Sequence, residues 1–440
     1  MPLKFPSFLL FSILILLSTA GVSSVANVSR GDPLVIDVLM MDRTLGQGGQ
    51  FYKRLAADPC ISILAVPQLG HYSIFFLKKN PNVINRAMRI YMPRNYRQLV
   101  DNRDLILLRE ASCGSIEIPE IIFDQDWMSW FVRAVREEGL SFAMWGGDAS
   151  WGGGGEGDYK SWGETMLDDI LPFKSLGGYT TSKAEFQRPD FADPDHPLTR
   201  LPWGDSGPVE LLNRVQPKGG AKLVASAVGP GSLIVQGVGS DRKITRSPWK
   251  DFPWIAWWEQ GEGRVLGEAQ VFGSCGTTDR MLNDWRWYND FIVYLLYFGV
   301  GKELPDDIFR AHRLRVEINT YQDRASLYLS LLEFLEKFGA STLELYREFD
   351  EVNQMEREAE LRFRQEDYDG AAEIFEEINE AWAAIDSKAL DAKKRALSWV
   401  YLIEWFSVTG AAMIVGALLW ALMVKRKLYK EIQTTRPTSL

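Results

Sequence analysis

Cysteine and histidine are scarce in this chain of 440 residues, with three of each. Cys60, Cys113 and Cys275 are too few for a disulfide framework. None of them has metal-ligand spacing, so no metal and no cofactor is expected. Basic charge is also short. Lys and Arg total 49 against 58 Asp and Glu, a net charge of −9. Phosphate binding needs a basic surface, so nucleic acid is excluded as a partner. Long apolar runs are confined to two places. What is plentiful is tryptophan, at sixteen.

The first apolar run follows a short positive start, "MPLK". "FLLFSILILLSTAG" then ends in small residues near Ala20. That is the pattern of a secretory signal, assigned here to residues 1–24. The second run, Trp405 to Val424, is twenty residues without a charge. At 1.5 Å per residue it matches the roughly 30 Å hydrocarbon core of a bilayer. Trp399, Tyr401, Trp405 and Trp420 lie near its ends as an aromatic belt, so the transmembrane helix is placed at 399–424. Lys425, Arg426 and Lys427 follow at once, which makes 425–440 a cytoplasmic tail. The expected topology is a single-pass cell-membrane protein with its bulk extracytoplasmic. The sequon Asn27-Val28-Ser29 agrees with that side.

Residues 33–301 alternate between strand and helix patterns. "PLVIDVLM", "ISILAVPQ", "DLILLREA" and "LSFAMW" are apolar on both faces, and "RAMRIYMP" is a candidate further strand. "GGQFYKRLAAD" and "DQDWMSWFVRAVREEG" read as helices between them, the second ending at Gly139. Such alternation predicts an α/β domain with a mostly parallel sheet flanked by helices. "AKLVASA", "SLIVQGVG" and "GRVLGEAQVFG" are later strands, and "LNDWRWYNDFIVYLLYFGVG" is a closing helix. Ligands of such sheets bind beyond the carboxyl ends of the strands.

Past Pro305 glycine nearly vanishes. Ala371, Phe375, Ile378, Trp382, Ile385, Ala389, Ala392, Ala396 and Trp399 step by four and three, the seam of a coiled coil. Leu345, Phe349, Val352, Glu356, Ala359 and Phe363 step similarly, and "QEDYDG" separates the runs. Residues 305–398 are therefore expected to form an α-helical hairpin stalk that runs into the membrane helix. A second subunit could pair along its seam as an oligomer.

The stretch "MWGGDASWGGGG" ends the strand at Trp145 in a sharp, small-residue turn with Asp148 at its apex. Strand–turn–helix elbows of this kind hold nucleophiles in several α/β enzymes. The strand "DLILLREA", the linker "IPEIIFDQDWMSWFVRAVREEG", this turn and "WGETMLDDILPF" together resemble the class I glutamine amidotransferase-like family. "DPDHPLTRLPW" is similar to the family's His-Pro loop, and "EQGEGRVLGEAQ" and "NDWRWYNDFIVYLLYF" to its late strand and closing helix. The likeness runs from about Val35 to Val300 and implies a flavodoxin-like sheet. It also implies glutaminase chemistry, which needs an elbow cysteine, a histidine base and an orienting carboxylate. This chain departs there. Asp148 occupies the apex, and His196 is followed by Pro197 and Leu198. The expectation is a domain without glutaminase activity.

Ser150 misses the Gly-x-Ser-x-Gly pattern because Asp148 stands at the first glycine position. Asp148 with Glu156 or Asp158 is a candidate carboxylate pair. Trp151, between small residues, is the tryptophan expected to be exposed, and such rings suit carbohydrate. His196 reads as a ligand residue or as a loop histidine bonded to backbone beside Pro197. The candidate binding set is Asp148, Ser150, Trp151, Glu156 and His196, with no catalytic residue assigned. The reading is an extracytoplasmic binding or scaffolding protein for a carbohydrate or protein ligand. A hydrolase using carboxylates near Asp148, and an assembly module acting through the stalk, are the alternatives.

Overall fold

Strands that are apolar on both faces belong in the middle of a parallel sheet. In the computed structural model of the chain three of the four such strands lie inside the sheet, and the fourth, "ISILAVPQ", forms its edge. The structure describes residues 35–42, 50–67, 91–109, 125–146, 150–151, 162–181, 189–206, 211–228, 233–236, 243–246, 251–270, 285–338 and 340–434. The signal segment, the sequon, Cys113, Cys275, His71, Asp148, Glu156, Asp158 and Trp249 lie outside the described residues.

Along the chain come β1 (Ile36–Asp42), α1 (Gln50–Ala56), β2 (Ile61–Pro67), α2 (Tyr96–Asn102), β3 (Leu105–Arg109), α3 (Gln125–Glu138) and β4 (Ser141–Trp145). Then follow β5 (Phe173–Thr181), β6 (Pro189–Phe191), β7 (Leu211–Pro217), β8 (Lys222–Val228), β9 (Leu233–Gln236), β10 (Lys243–Arg246), β11 (Asp251–Gln260) and β12 (Gly263–Glu268). Four helices close the sequence: α4 (Tyr288–Val300), α5 (Ile308–Lys337), α6 (Leu343–Arg364) and α7 (Tyr368–Thr434). The chain divides into two compact units, Met1–His312 and Arg313–Leu440.

The first unit holds an eight-stranded sheet in the order β2-β1-β3-β4-β12-β11-β8-β6. The pairs from β2 to β12 are parallel, and those from β12 to β6 are antiparallel. All five residues of β3 and of β4 are buried. The helix α4 packs on β4 and β12 and is almost wholly buried. It ends at Gly301, whose φ of 76° favours glycine and whose N–H turns back to Phe298 O. A second sheet, β10-β9-β5-β7, is antiparallel. Of "RAMRIYMP", residues 91–93 are described and none is in a strand.

The second unit corrects the hairpin. Three helices share the core, because α5 lies against both α6 and α7. Glu317 and Arg324 on α5 pair with Asn379 and Asp386 on α7, while Tyr321 bonds Asn353 on α6. The α5 and α7 contacts rise together in number, so those helices run parallel. Glu348 on α6 pairs with Lys388 on α7, across the turn at Gln365 to Asp367. The seam from Ala371 to Ala396 is buried within this bundle. It is covered by helices of the same chain. Trp399 lies past its end and is exposed.

One polar residue sits in the α6 seam. Glu356 is buried, and its carboxyl is pushed up to about 8, first by burial and then by the neighbouring Glu360, against Arg357 and Arg364. Its proton is held more tightly folded than unfolded, so raising the pH from about 5 to 8 withdraws stability. The loss is on the order of a few kcal/mol. Glu356→Gln should flatten that dependence. Thermal melts of the full chain in detergent, followed at the helix band at pH 5 and pH 8, measure it.

Beyond the bundle α7 continues without a break. Its 67 residues span about 100 Å at 1.5 Å per residue. The apolar part is fully exposed in the isolated chain, so it is no core helix of this protein. One helix near the C-terminus is thus long and apolar enough to cross a membrane.

Candidate functional site

The register lines up four strand ends at the carboxyl edge of the parallel strands. Asp42 of β1 faces Arg109 of β3, and Arg109 faces Trp145 of β4. Gly267 of β12 faces Met144, so Glu268 is level with Trp145. The strand order reverses at β1, between β2 and β3, which is where open α/β sheets leave a crevice. Arg109 is buried beside that point, its guanidinium 4.1 Å over the Phe51 ring. Phe51 in turn meets Trp145 edge-on at 5.1 Å.

Glu268 is the centre of the edge. It is fully buried, and three donors converge on its carboxyl. Trp254 Nε1–H donates to Oε1 at 2.5 Å, and Gln270 N–H donates to the same oxygen at 2.7 Å. Gly146 N–H donates to Oε2 at 3.3 Å. Burial raises the carboxyl well above its ordinary value, against these hydrogen bonds and the charge of Arg109. The main-chain oxygen of Glu268 also accepts from Trp151 Nε1–H at 2.9 Å. One residue therefore grips the glycine turn on both sides, at Gly146 and at Trp151.

Gly146 is confined to glycine by close approach. A Cβ there would stand 2.3 Å from Gln270 O. The contact brings the end of β4 against the backbone just after β12. Ser175 Oγ–H donates to Trp151 O and closes the far side of the turn.

The expected site residues fare differently. Trp151 is not an exposed platform. It is buried edge-on against Phe173 at 5.5 Å. Its small neighbours let the indole fold inward, and its N–H finds a main-chain acceptor there. Ser150 is buried next to it, and among the described residues its Oγ has no hydrogen-bond partner. His196 is buried too. Its Nδ1 accepts from Leu198 N–H at 3.3 Å and caps the turn Pro197–Arg200. Its ring meets Phe298 edge-on at 4.7 Å. Burial lowers its pKa, so it sits as a neutral imidazole. Ser150 and Trp151 belong to the edge, and His196 is a capping residue.

The other tryptophans near this edge pack into the core or against neighbouring side chains. Trp145, Trp162 and Trp254 are buried. Trp203, Trp254 and Trp285 form one aromatic cluster with Phe291. Trp257 lies between Lys222 and Arg264, and Trp258 Nε1–H donates to Ile170 O at 2.6 Å. These rings are spent on packing. Among the described residues no group of histidine, cysteine and carboxylates could hold a metal ion. The thiol of Cys60 is buried just before β2, at the opposite edge of the sheet.

No protein-family model and no curated protein matches this chain. Among solved structures it is similar to the cytoplasmic protein STM3548 from Salmonella typhimurium. The two share 14% identity over 60% of this chain and 98% of that one, with a TM-score of 0.40. The cytoplasmic protein STM1381 from Salmonella typhimurium LT2 is similar at 14% identity, over 60% and 99%, with a TM-score of 0.40. Agd3, a carbohydrate deacetylase, is similar at 11% identity, over 59% and 32%, with a TM-score of 0.33.

Proposed function

We propose that this chain is a membrane-anchored binding or scaffolding protein, whose α/β unit is an amidotransferase-like domain without its nucleophile. The observation that carries this reading is the elbow itself. The strand order β2-β1-β3-β4-β12 is the 2-1-3-4-5 order of flavodoxin-like sheets. At the carboxyl edge of its central strand the turn is clamped on both sides by Glu268, yet the sequence supplies Asp148 where a class I glutaminase carries cysteine. A clamped, inert turn serves to present a surface. The ligand is assigned to the carboxyl edge of the sheet, the edge at which the sequence puts Asp148. The apolar part of α7 holds the unit at the cell membrane, and the basic cluster Lys425 to Lys427 keeps the tail on the cytoplasmic side.

The test uses the purified full chain in detergent. Incubation with glutamine should release no ammonia above the buffer blank, and ammonia release overturns the reading. Retention of soluble oligosaccharides should fall in Asp148→Ala while the melting temperature holds. Turnover of an oligosaccharide that Asp148→Asn abolishes would instead make the chain a hydrolase.

A further inference from the structure

The membrane-proximal end of the helical bundle carries apolar side chains that are exposed among the described residues. At the turn between α5 and α6, Phe338 is 42% exposed and Leu343 is 71% exposed. The Phe334 and Phe338 rings meet at 4.6 Å, tilted by 54°, at the end of α5. The register of the bundle fixes where this turn stands along α7. Glu317 pairs with Asn379 and Arg324 with Asp386, both 62 residues apart, and the Tyr328 ring meets Trp382, 54 apart. Carried forward, these offsets put Phe338 level with residues between about 392 and 400. That is within about 10 Å, along the axis, of Trp399, where the exposed aromatic belt of α7 begins.

The same level carries a group of basic side chains, interspersed with the carboxylates of Glu336, Glu344 and Asp391. Lys393, Lys394 and Arg395 are exposed on α7, and Lys337 is exposed beside Phe338. Aromatic and aliphatic side chains with lysines and an arginine at one height form the pattern of an interfacial contact. The rings enter the headgroup layer while the cations meet lipid phosphates.

We propose that the α5–α6 turn is a second membrane contact, seated in the lipid headgroup layer beside the point where α7 enters the bilayer. This rests on the reading of α7 as a membrane span and is continuous with that interface. Two points of contact, one at each side of the bundle's base, fix its tilt. A single uninterrupted helix would otherwise leave the bundle free to lean in any direction. The occupant is the bilayer surface, not a second copy of the chain.

Photo-crosslinking of the full chain, reconstituted in vesicles of phosphatidylcholine with a minority of phosphatidylglycerol, tests this. Benzoylphenylalanine replaces Phe338 in one variant, Trp405 in a second and Leu327 in a third. Leu327 is 73% exposed on the same helix, about 16 Å further from the turn. Phospholipid adducts are expected at 405 and at 338, and several-fold fewer at 327. Adducts at 405 with no excess at 338 over 327 overturn the second contact while the span stands. No adducts at 405 overturn the span and, with it, this inference. A chain-to-chain product at 338 gives the turn to a second copy and overturns the proposal. Leu343 supplies a second position on the turn, should the variant at 338 fail to fold.

Discussion

Glu268→Ala should cost the α/β unit about 3–5 kcal/mol, close to a third or more of the stability of an ordinary domain. The carboxyl is fully buried and receives donors from Trp254, Gln270 and Gly146. Truncation leaves all three without that acceptor, and each orphaned buried donor costs about 1–3 kcal/mol. A cavity is left as well. Glu268→Gln keeps the shape and an acceptor oxygen, so it should cost far less. The two variants also part in their pH response. The carboxyl binds its proton more tightly in the folded chain than in the unfolded one, where its ordinary value is 4.5. The folded unit is therefore favoured at low pH and loses stability as pH rises above that value. Glu268→Gln should remove this slope. Tryptophan-fluorescence melts of the full chain between pH 4 and pH 8 report on it, since most of the tryptophans lie in this unit. A wild-type melting temperature that rises across the range above 4.5, matched by Glu268→Gln, would show that the carboxyl is not held protonated.

Much of the frame that holds this residue was legible in the sequence. "DLILLREA" and "LSFAMW" read as buried strands because each holds an unbroken run of four apolar residues, and β3 and β4 are buried throughout. The steps of four and three picked out Leu345, Phe349, Val352, Glu356, Ala359 and Phe363, and each of them is buried in α6. Even the one charged member follows the seam. The helix α5 escaped notice because "SLYLSLLEFLEKF" is apolar around most of its circumference, which erases any single stripe. Strands such as β5 and β7 escaped because they mix polar residues into an antiparallel sheet. Glu268 was visible as an acidic residue inside the apolar run "RVLGEAQVF", and a charge in such a run is a signal of a buried, bonded group. Trp151 misled because flanking small residues speak for the backbone's freedom and say nothing of where an indole points. The converging donors on Glu268 come from residues 14 and 122 positions away, a pairing that no local pattern encodes.

Trp382→Ala should be the most damaging single change in the bundle, at about 3–5 kcal/mol. The indole is buried where all three helices meet. It touches Tyr321 at 6.0 Å, Tyr328 at 5.3 Å and Phe349 at 5.9 Å between ring centroids, and Arg324 lies 4.9 Å over its face. Removing it opens a void under two helices at once, because α5 and α6 both rest on it. Among the described residues its Nε1 has no hydrogen-bond partner. Trp382→Phe loses area but also discards that buried, unsatisfied N–H, so the two terms partly offset and the cost should be well below that of alanine. Hydrogen exchange of peptides from Arg313 to Ala396, in the full chain in detergent, localises the effect. Exchange should quicken strongly across α5, α6 and the first part of α7 in the alanine variant and modestly in the phenylalanine one. The mass of the particle should not change in either. A shift in oligomeric state with unchanged exchange would mean that Trp382 faces another subunit, and the bundle would then have to be rebuilt as an assembly interface.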